Sequence, residues 1–217
     1  MPPWITRRLE ALAWTNVALH GLGLVIAWAG LRPGSLVVPL PERTAYLASR
    51  PALWSWGWGL WMLCALLLVA FIAALGRSLP ASSAVARLAL AITAAGMAVD
   101  LLCDVIQISV LPQLASSGAT DLFLAMERLA FTGGMTIANG LYTTGVLLMT
   151  LRCGSLLRLP ARLAGLGTAV SGYALAAAGL FPSSGLLEVS TGPTIVLFSL
   201  WAVLVARDLG TAAEASA

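Results

Sequence analysis

The fold is decided by residues 88–111, LALAITAAGMAVDLLCDVIQISVL. An α-helix crosses the apolar core of a bilayer with about 20 mostly apolar residues, so this run is long enough to span a membrane. It nevertheless contains two carboxylates, Asp100 and Asp104, and Gln107 follows them on the same helix face. Because a charged side chain near the bilayer centre costs about 2.5–3.5 kcal/mol on insertion scales, the pair indicates compensating partners or a functional site.

The composition of the whole chain is that of a membrane protein. Hydrophobic residues make up 59% of the 217 residues and charged residues 10%, whereas a soluble domain carries about 25% charge. The net charge is +3, and every basic residue is an arginine. Because most of these arginines fall in short predicted loops, they indicate orientation in a membrane rather than nucleic-acid binding. The absence of lysine excludes a lysine Schiff base.

The hydrophobic runs predict an all-α membrane protein with one six-helix transmembrane domain over residues 1–207. The predicted spans cover about residues 11–31, 54–75, 83–111, 121–151, 161–181 and 192–206, with a flexible cytoplasmic tail over 208–217. Four prolines rule out a continuous helix between the first two spans, although a short amphipathic turn fits residues 43–49. Pro112 is expected to end the third span.

The arginines predict which way the helices cross. With the N-terminus inside, eight arginines are cytoplasmic, three are external and Arg128 lies within a span. This asymmetry favours an N-in/C-in topology, and we expect the plasma membrane of a bacterium. Odd-numbered spans begin with Arg-Leu and end near a proline. Three successive helical hairpins would produce that pattern, and so would ordinary loop chemistry.

Two stripes of residues at helical spacing suggest packing surfaces. Gly165, Gly172 and Gly179 recur every seven residues and form a smooth face suited to close helix contact. Trp54, Trp58 and Trp61 share one face of the second span. The tryptophans fit either an interfacial aromatic belt or an aromatic wall for a ligand.

Depth along the predicted helices groups the polar residues into one candidate site. Asp104 and the neighbours Glu127 and Arg128 fall at matching depth in the external half, because a helix rises about 1.5 Å per residue. We therefore expect an Asp104–Arg128 ion pair, and Glu127 could reach external water. Asp100 lies one turn deeper and has no evident cationic partner. His20 and Asn139 would extend a polar file toward the cytoplasm.

The charges of this group do not balance. Three acids against one arginine leave an excess of negative charge, so at least one acid should carry a proton unless a cation binds. We predict a ligand- or proton-binding site and assign no catalytic residue; the predicted site residues are Asp100, Asp104, Gln107, Glu127, Arg128, His20 and Asn139. A single histidine argues against bis-histidine haem or a histidine-rich metal centre, so we expect no metal and no cofactor.

Three kinds of function remain open from the sequence. The first is binding or transport of a proton, a cation or a cationic amphiphile in the acidic pocket. The second is a structural or assembly subunit of a membrane complex, and the third is a membrane-embedded acid–base enzyme acting on a lipid or isoprenoid. The sequence leans away from an enzyme, since phosphate-loop, GxSxG and HExxH motifs are lacking. The expected partners are the lipid bilayer, an ion or small molecule, and further subunits in an oligomer or complex; nucleic acid is not expected.

Overall fold

The structure, a computed structural model, describes residues 3–79, 83–181 and 185–214. Within these ranges the chain is helical and contains no strand. In chain order the helices are α1 Pro3–Ile26, α2 Leu40–Ser49, α3 Pro51–Arg77, α4 Ala84–Val105, α5 Leu111–Ser117, α6 Thr120–Phe131, α7 Asn139–Cys153, α8 Leu159–Ala178 and α9 Leu186–Glu214.

Three π-helical stretches interrupt or extend these helices. Ala27–Leu31 continues α1, Ile106–Val110 joins α4 to α5, and Thr132–Ala138 joins α6 to α7. The chain therefore runs as one continuous α4–α5 helix and one continuous α6–α7 helix. π-helical turns are uncommon in proteins, and those that occur often lie at functional sites. These three stretches therefore indicate where along the helices a functional site could lie.

In the part of the chain that the structure describes, six long helices form a closed ring. They follow one another in chain order as α1, α3, α4–α5, α6–α7, α8 and α9, and α9 packs back against α1. Gly210 of α9 packs near Thr6 of α1, which places both chain ends at one end of the ring, the termini end. The opposite end carries α2 and is called the α2 end.

The ring is closed by apolar packing at both ends. At the termini end, a large cluster includes fully buried side chains from four of the six helices: Leu9, Phe71, Leu75, Met149, Trp201 and Val205. At the α2 end, a smaller cluster attaches α2 to the ring through Leu31, Leu47, Trp54, Leu111 and Phe123. Between the two clusters, the interior of the ring is lined by other residues.

Four helices are long and apolar enough to cross a membrane, counted over the described ranges: Thr6–Gly34, Pro51–Arg77, Ala84–Ser117 and Val189–Thr211. Large apolar side chains on the outside of the ring are strongly exposed, among them Val170 at 74%, Val189 at 71% and Leu102 at 64%. These features are those of a membrane protein. The α6–α7 helix and α8, which we also expected to be spans, do not reach the same standard of length and hydropathy.

Several predicted boundaries differ from the structure. The third long helix does not end at Pro112 but continues to Ser117, and the last helix begins at Leu186 and runs to Glu214. Asp208, which we placed in a flexible tail, is buried and accepts hydrogen bonds from the backbone and side chain of Arg158. This anchorage explains why α9 extends past residue 206; residues 215–217 lie outside the described residues.

The helix passes Pro112 because a neighbouring helix supplies the missing donors. Proline has no N–H, so Ile108 loses its partner in an α-helical register and Gln107 loses it in a π-helical register. The Trp54 indole N–H donates to the Gln107 carbonyl at 2.7 Å, and the Ser55 hydroxyl donates to the Ile108 carbonyl at 3.1 Å. Apolar surroundings require such replacement bonds, and they fix α3 against the bent part of α4–α5.

The glycine stripe of α8 lies directly against a threonine stripe. A Cβ atom added at Gly165, Gly172 or Gly179 would overlap the side chain of a threonine on the α6–α7 helix; these threonines are Thr150, Thr143 and Thr136 respectively. The threonines also recur every seven residues. The predicted smooth face is therefore the surface through which α8 approaches its neighbour.

Gly172→Ala is predicted to destabilise the protein by about 1–3 kcal/mol, because the new methyl group has no room beside Thr143. Thermal or denaturant unfolding in detergent measures the change. Gly59→Ala is the matched control, since nothing lies within 4 Å of a Cβ at that position in α3. The double variant Gly172→Ala/Thr143→Ala should recover much of the loss, and equal stability of Gly172→Ala and wild type would contradict the close packing.

Candidate functional site

The six long helices enclose a cavity of about 420 Å³ that extends from the middle of the ring to the α2 end. Ligand pockets are typically about 300–1,000 Å³ in volume, so this cavity can hold a small organic molecule. Most of its wall is aromatic or aliphatic, and a small number of polar side chains interrupt it. All three π-helical stretches lie at this level of the ring.

One wall of the cavity is the tryptophan stripe of α3. Trp54, Trp58 and Trp61 all line the cavity, and Trp54 is 2% exposed. The rings of Trp54 and Trp58 meet edge to face with their centroids 5.7 Å apart. Trp56, off this stripe, is 79% exposed on the outside of the ring. The three side chains of this stripe therefore form an aromatic wall of the cavity, which is one of the two arrangements that their spacing allowed.

His20 of α1 occupies the cavity wall between two aromatic side chains. Its ring centroid lies 6.1 Å from that of Trp61 and 5.2 Å from that of Phe198. Its Nδ1 atom lies 3.0 Å from the backbone carbonyl of Asn16. Since a carbonyl oxygen can only accept, Nδ1 must carry the hydrogen, and a neutral His20 therefore has its lone pair on Nε2.

The α4 face predicted from the sequence does line the cavity. Asp100, Asp104 and Gln107 all contribute to its wall. Asp100 is partly exposed, and one of its oxygens accepts a hydrogen bond from the Tyr142 hydroxyl at 3.1 Å. Gly96 lies one turn before Asp100 and allows the Tyr142 ring to pack directly on α4, because a Cβ there would be 3.1 Å from that ring.

Asp104 is in a different position from its neighbour. It is 1% exposed, and its Oδ2 atom is buried without a hydrogen-bond partner among the described residues. The expected ion pair with Arg128 does not form, since Arg128 is exposed on the outside of the ring. Adjacent residues of a helix point about 100° apart, and the buried face of α6 is Phe123, Glu127 and Ala130. Only Glu127 of the two neighbours can therefore face inward.

Glu127 does not reach external water, because it is 5% exposed and paired with Arg43 of α2. Arg43 is itself 8% exposed. Its Nε and Nη2 atoms donate to the two Glu127 carboxylate oxygens at 2.8 Å each, and its Nη1 donates to the Val38 carbonyl at 2.9 Å. This bidentate pair fastens α2 across the α2 end of the cavity.

Arg43 is the functional residue that the sequence interpretation missed. It was placed in the amphipathic turn of the long connection, which the structure shows as α2, and was given no partner. Arg43 and Glu127 are 84 residues apart in the chain, so no local pattern links them. The one available signal was the single arginine of that amphipathic turn, which would be buried if the turn packed back on the helices.

Asn139 also lines the cavity, but its amide is directed to its own helix. It donates to the Gly134 carbonyl at 3.0 Å, next to the π-helical stretch Thr132–Ala138. Gly134 in turn lies against Asp100, whose Oδ1 would be 3.4 Å from a Cβ there. Asn139 therefore stabilises the widened turn that brings the α6–α7 helix close to the carboxylates. Of the seven predicted residues, six line the cavity and Arg128 does not.

The resulting site combines negative charge with apolar and aromatic surface. Among the described ion pairs, Arg43 is held by Glu127 and Arg158 by Asp208, which leaves Asp100 and Asp104 without a salt bridge. The buried indole nitrogen of Trp58 also has no hydrogen-bond partner in the part of the chain that the structure describes. Over residues 3–79, 83–181 and 185–214, no three His, Cys, Asp or Glu side chains come together as a metal site. Such a wall can hold an organic cation by charge and by aromatic contact.

Comparison with family models, with curated protein sequences and with solved structures found no match.

Arg43→Met is predicted to destabilise the protein by about 3–5 kcal/mol, because it leaves the Glu127 carboxylate buried without a counter-charge. The free energy of unfolding in detergent is the measurement. Arg128→Met is the control, and it should change stability by less than about 0.5 kcal/mol since that side chain is exposed. The double variant Arg43→Met/Glu127→Met should recover most of the loss; equal effects of the two single arginine variants would show that the pair does not form.

Proposed function

We propose that this chain is a six-span protein of a bacterial plasma membrane, with both termini in the cytoplasm, and that its cavity binds a small organic cation. The orientation is supported by the arginines, because eight of the twelve lie toward the termini end and three at the α2 end. In this orientation the cavity and its three carboxylate side chains, Asp100, Asp104 and Glu127, belong to the external half of the membrane. The ligand would then come from the external side or from the outer leaflet.

The observation that carries the proposal is the unbalanced charge of Asp100. This carboxylate lines the cavity and accepts one hydrogen bond, from a neutral tyrosine, with no salt bridge among the described residues. The buried arginine Arg43 is already committed to Glu127, and Arg32, which lines the cavity, lies over the Trp28 ring. A carboxylate inside a helix bundle needs compensation, and a cation in the cavity would supply it.

The rest of the wall suits the body of such a cation. Trp54, Trp58 and Trp61 present aromatic surface on α3, and Phe198 presents more from α9. The face of an aromatic ring attracts a cation by about 0.5–2 kcal/mol, and the apolar wall favours hydrocarbon parts of a ligand. A compact cation with an aromatic or aliphatic substituent therefore fits this cavity better than a hydrated metal ion.

In the proposed complex, Asp100 forms the salt bridge and the tryptophans surround the charged group. Tyr142 holds the carboxylate in place through its hydroxyl, so the anion is fixed before the ligand arrives. The Arg43–Glu127 pair keeps α2 over the α2 end of the cavity. Transport would require, in addition, that the cavity open alternately to the two sides of the membrane.

Binding of benzyltrimethylammonium to the purified protein in detergent tests the proposal. Tryptophan fluorescence is a suitable readout because four tryptophans line the cavity. Wild type should bind this cation more tightly than its uncharged isostere neopentylbenzene. Asp100→Asn should weaken cation binding by at least about tenfold, or about 1.4 kcal/mol, and should leave binding of the isostere unchanged.

Two matched pairs of variants locate the effect. Asp121→Asn removes an acid that is exposed at the start of α6, and it should bind the cation as wild type does. Trp58→Leu should weaken binding, whereas Trp56→Leu on the outer surface should not. If wild type binds neither this cation nor other alkylammonium ions, the proposed function is wrong. A protein that instead co-purifies with one fixed membrane partner would indicate the structural-subunit alternative.

A further inference from the structure

Asp100 and Asp104 lie one helical turn apart but have unequal environments. Asp100 is partly exposed to the cavity and receives the Tyr142 hydroxyl, whereas Asp104 is 1% exposed and has an oxygen without a partner. An ionised carboxylate can accept several hydrogen bonds, and burying it without donors or a counter-charge is strongly unfavourable. A buried acid in this position is stable only in its neutral form.

No salt bridge among the described residues joins Asp104 to a basic side chain. On its own helix the titratable neighbours are Asp100 and Cys103; α3 contributes Cys64, α6 contributes Glu127 and α7 contributes Tyr142. Glu127 is already neutralised by Arg43, and the π-helical stretch Thr132–Ala138 contains no titratable side chain. Across the cavity, α1 presents His20, and the segment that follows α1 presents Arg32, whose guanidinium lies over the Trp28 ring. The lining residues of α8 and α9 are uncharged.

The nearest charged neighbour makes ionisation of Asp104 still less favourable. Residues four apart on a helix have Cβ atoms about 5–6 Å from one another, so an ionised Asp100 repels a second negative charge on Asp104. Two carboxylates that share a site in this way seldom ionise together. The more exposed and hydrogen-bonded Asp100 is the one that can keep its charge.

We infer that Asp104 is a proton-binding site which sets the cation affinity of Asp100 one turn away. This inference rests on the proposed function for its second half, while the proton on Asp104 stands on burial and missing partners alone. In the neutral acid the O–H bond of Asp104 is intact. When that proton dissociates into water, the carboxylate adds a second negative charge beside the bound cation. The proton and the cation therefore compete.

The competition predicts a pH profile with two limbs. At acid pH, protonation of Asp100 abolishes cation binding; at alkaline pH, loss of the Asp104 proton strengthens it further. Coupling between two sites typically changes affinity about 5- to 150-fold, and that is the range expected for the alkaline gain. Benzyltrimethylammonium suits this measurement because its own charge does not change with pH.

Two measurements on wild type, Asp104→Asn and Asp121→Asn test the inference. Asn has nearly the shape of a neutral Asp, so Asp104→Asn should fold as wild type does. Infrared spectroscopy of wild type and Asp121→Asn near neutral pH should show the C=O stretching band of a protonated carboxyl group, and Asp104→Asn should lack it. In the cation titration, Asp104→Asn should keep the acid limb and lose the alkaline gain.

The outcomes separate this inference from the proposed function. If the cation binds but the infrared band is absent from wild type, or persists in Asp104→Asn, the proton site is wrong and the cation site stands. An alkaline gain that survives in Asp104→Asn would likewise overturn the coupling. If no cation binds while the band is present and depends on Asp104, the proposed function fails and the proton site remains.

Discussion

Polar atoms that are buried between apolar helices need partners from within the protein, and this constraint explains most of the specific contacts in the ring. Pro112 has no backbone N–H to donate, and side chains of α3 instead donate to the Gln107 and Ile108 carbonyls. The Glu127 carboxylate is matched by Arg43 on both oxygens. These bonds join α2, α3, α4–α5 and α6–α7 at the α2 end, where the apolar cluster is small. The atoms that the constraint leaves unmatched then mark the cavity as the site.

The two aspartates show how one helix can give similar residues different chemistry. The two aspartates lie four residues apart on the same face. Gly96 lets a tyrosine hydroxyl reach Asp100, whereas the Asp104 Oδ2 atom has no hydrogen-bond partner among the described residues. The difference in exposure separates a carboxylate that can meet a ligand from one that is shielded from solvent, where burial disfavours the charged form. In many proteins that transfer protons, two acids of the same kind take different acid and base roles because their environments differ.

The sequence was sufficient for features that depend on periodicity along one helix. The shared face of Asp100, Asp104 and Gln107, the tryptophan stripe and the glycine stripe of α8 all follow from helical spacing. The first two line the cavity and the third lies against the α6–α7 helix, although the spacing left open whether the tryptophans form a belt or a wall. Helical spacing alone could not show whether Glu127 or Arg128 faces the interior of the ring, because α6 carries apolar residues on both of its faces. The Arg43–Glu127 pair and the Tyr142–Asp100 bond join distant segments, so only the packed structure reveals them.

The central claim is that the cavity holds an organic cation against Asp100. An experimental structure with 4-bromobenzyltrimethylammonium tests this claim most directly, because the anomalous signal of bromine locates the ligand without ambiguity. We expect a single bromine peak inside the ring, with the ammonium group near the Asp100 carboxylate and against the faces of Trp58 and Trp61. Bromine found on the outer surface, or an ammonium group at the opposite end of the cavity from Asp100, would contradict it.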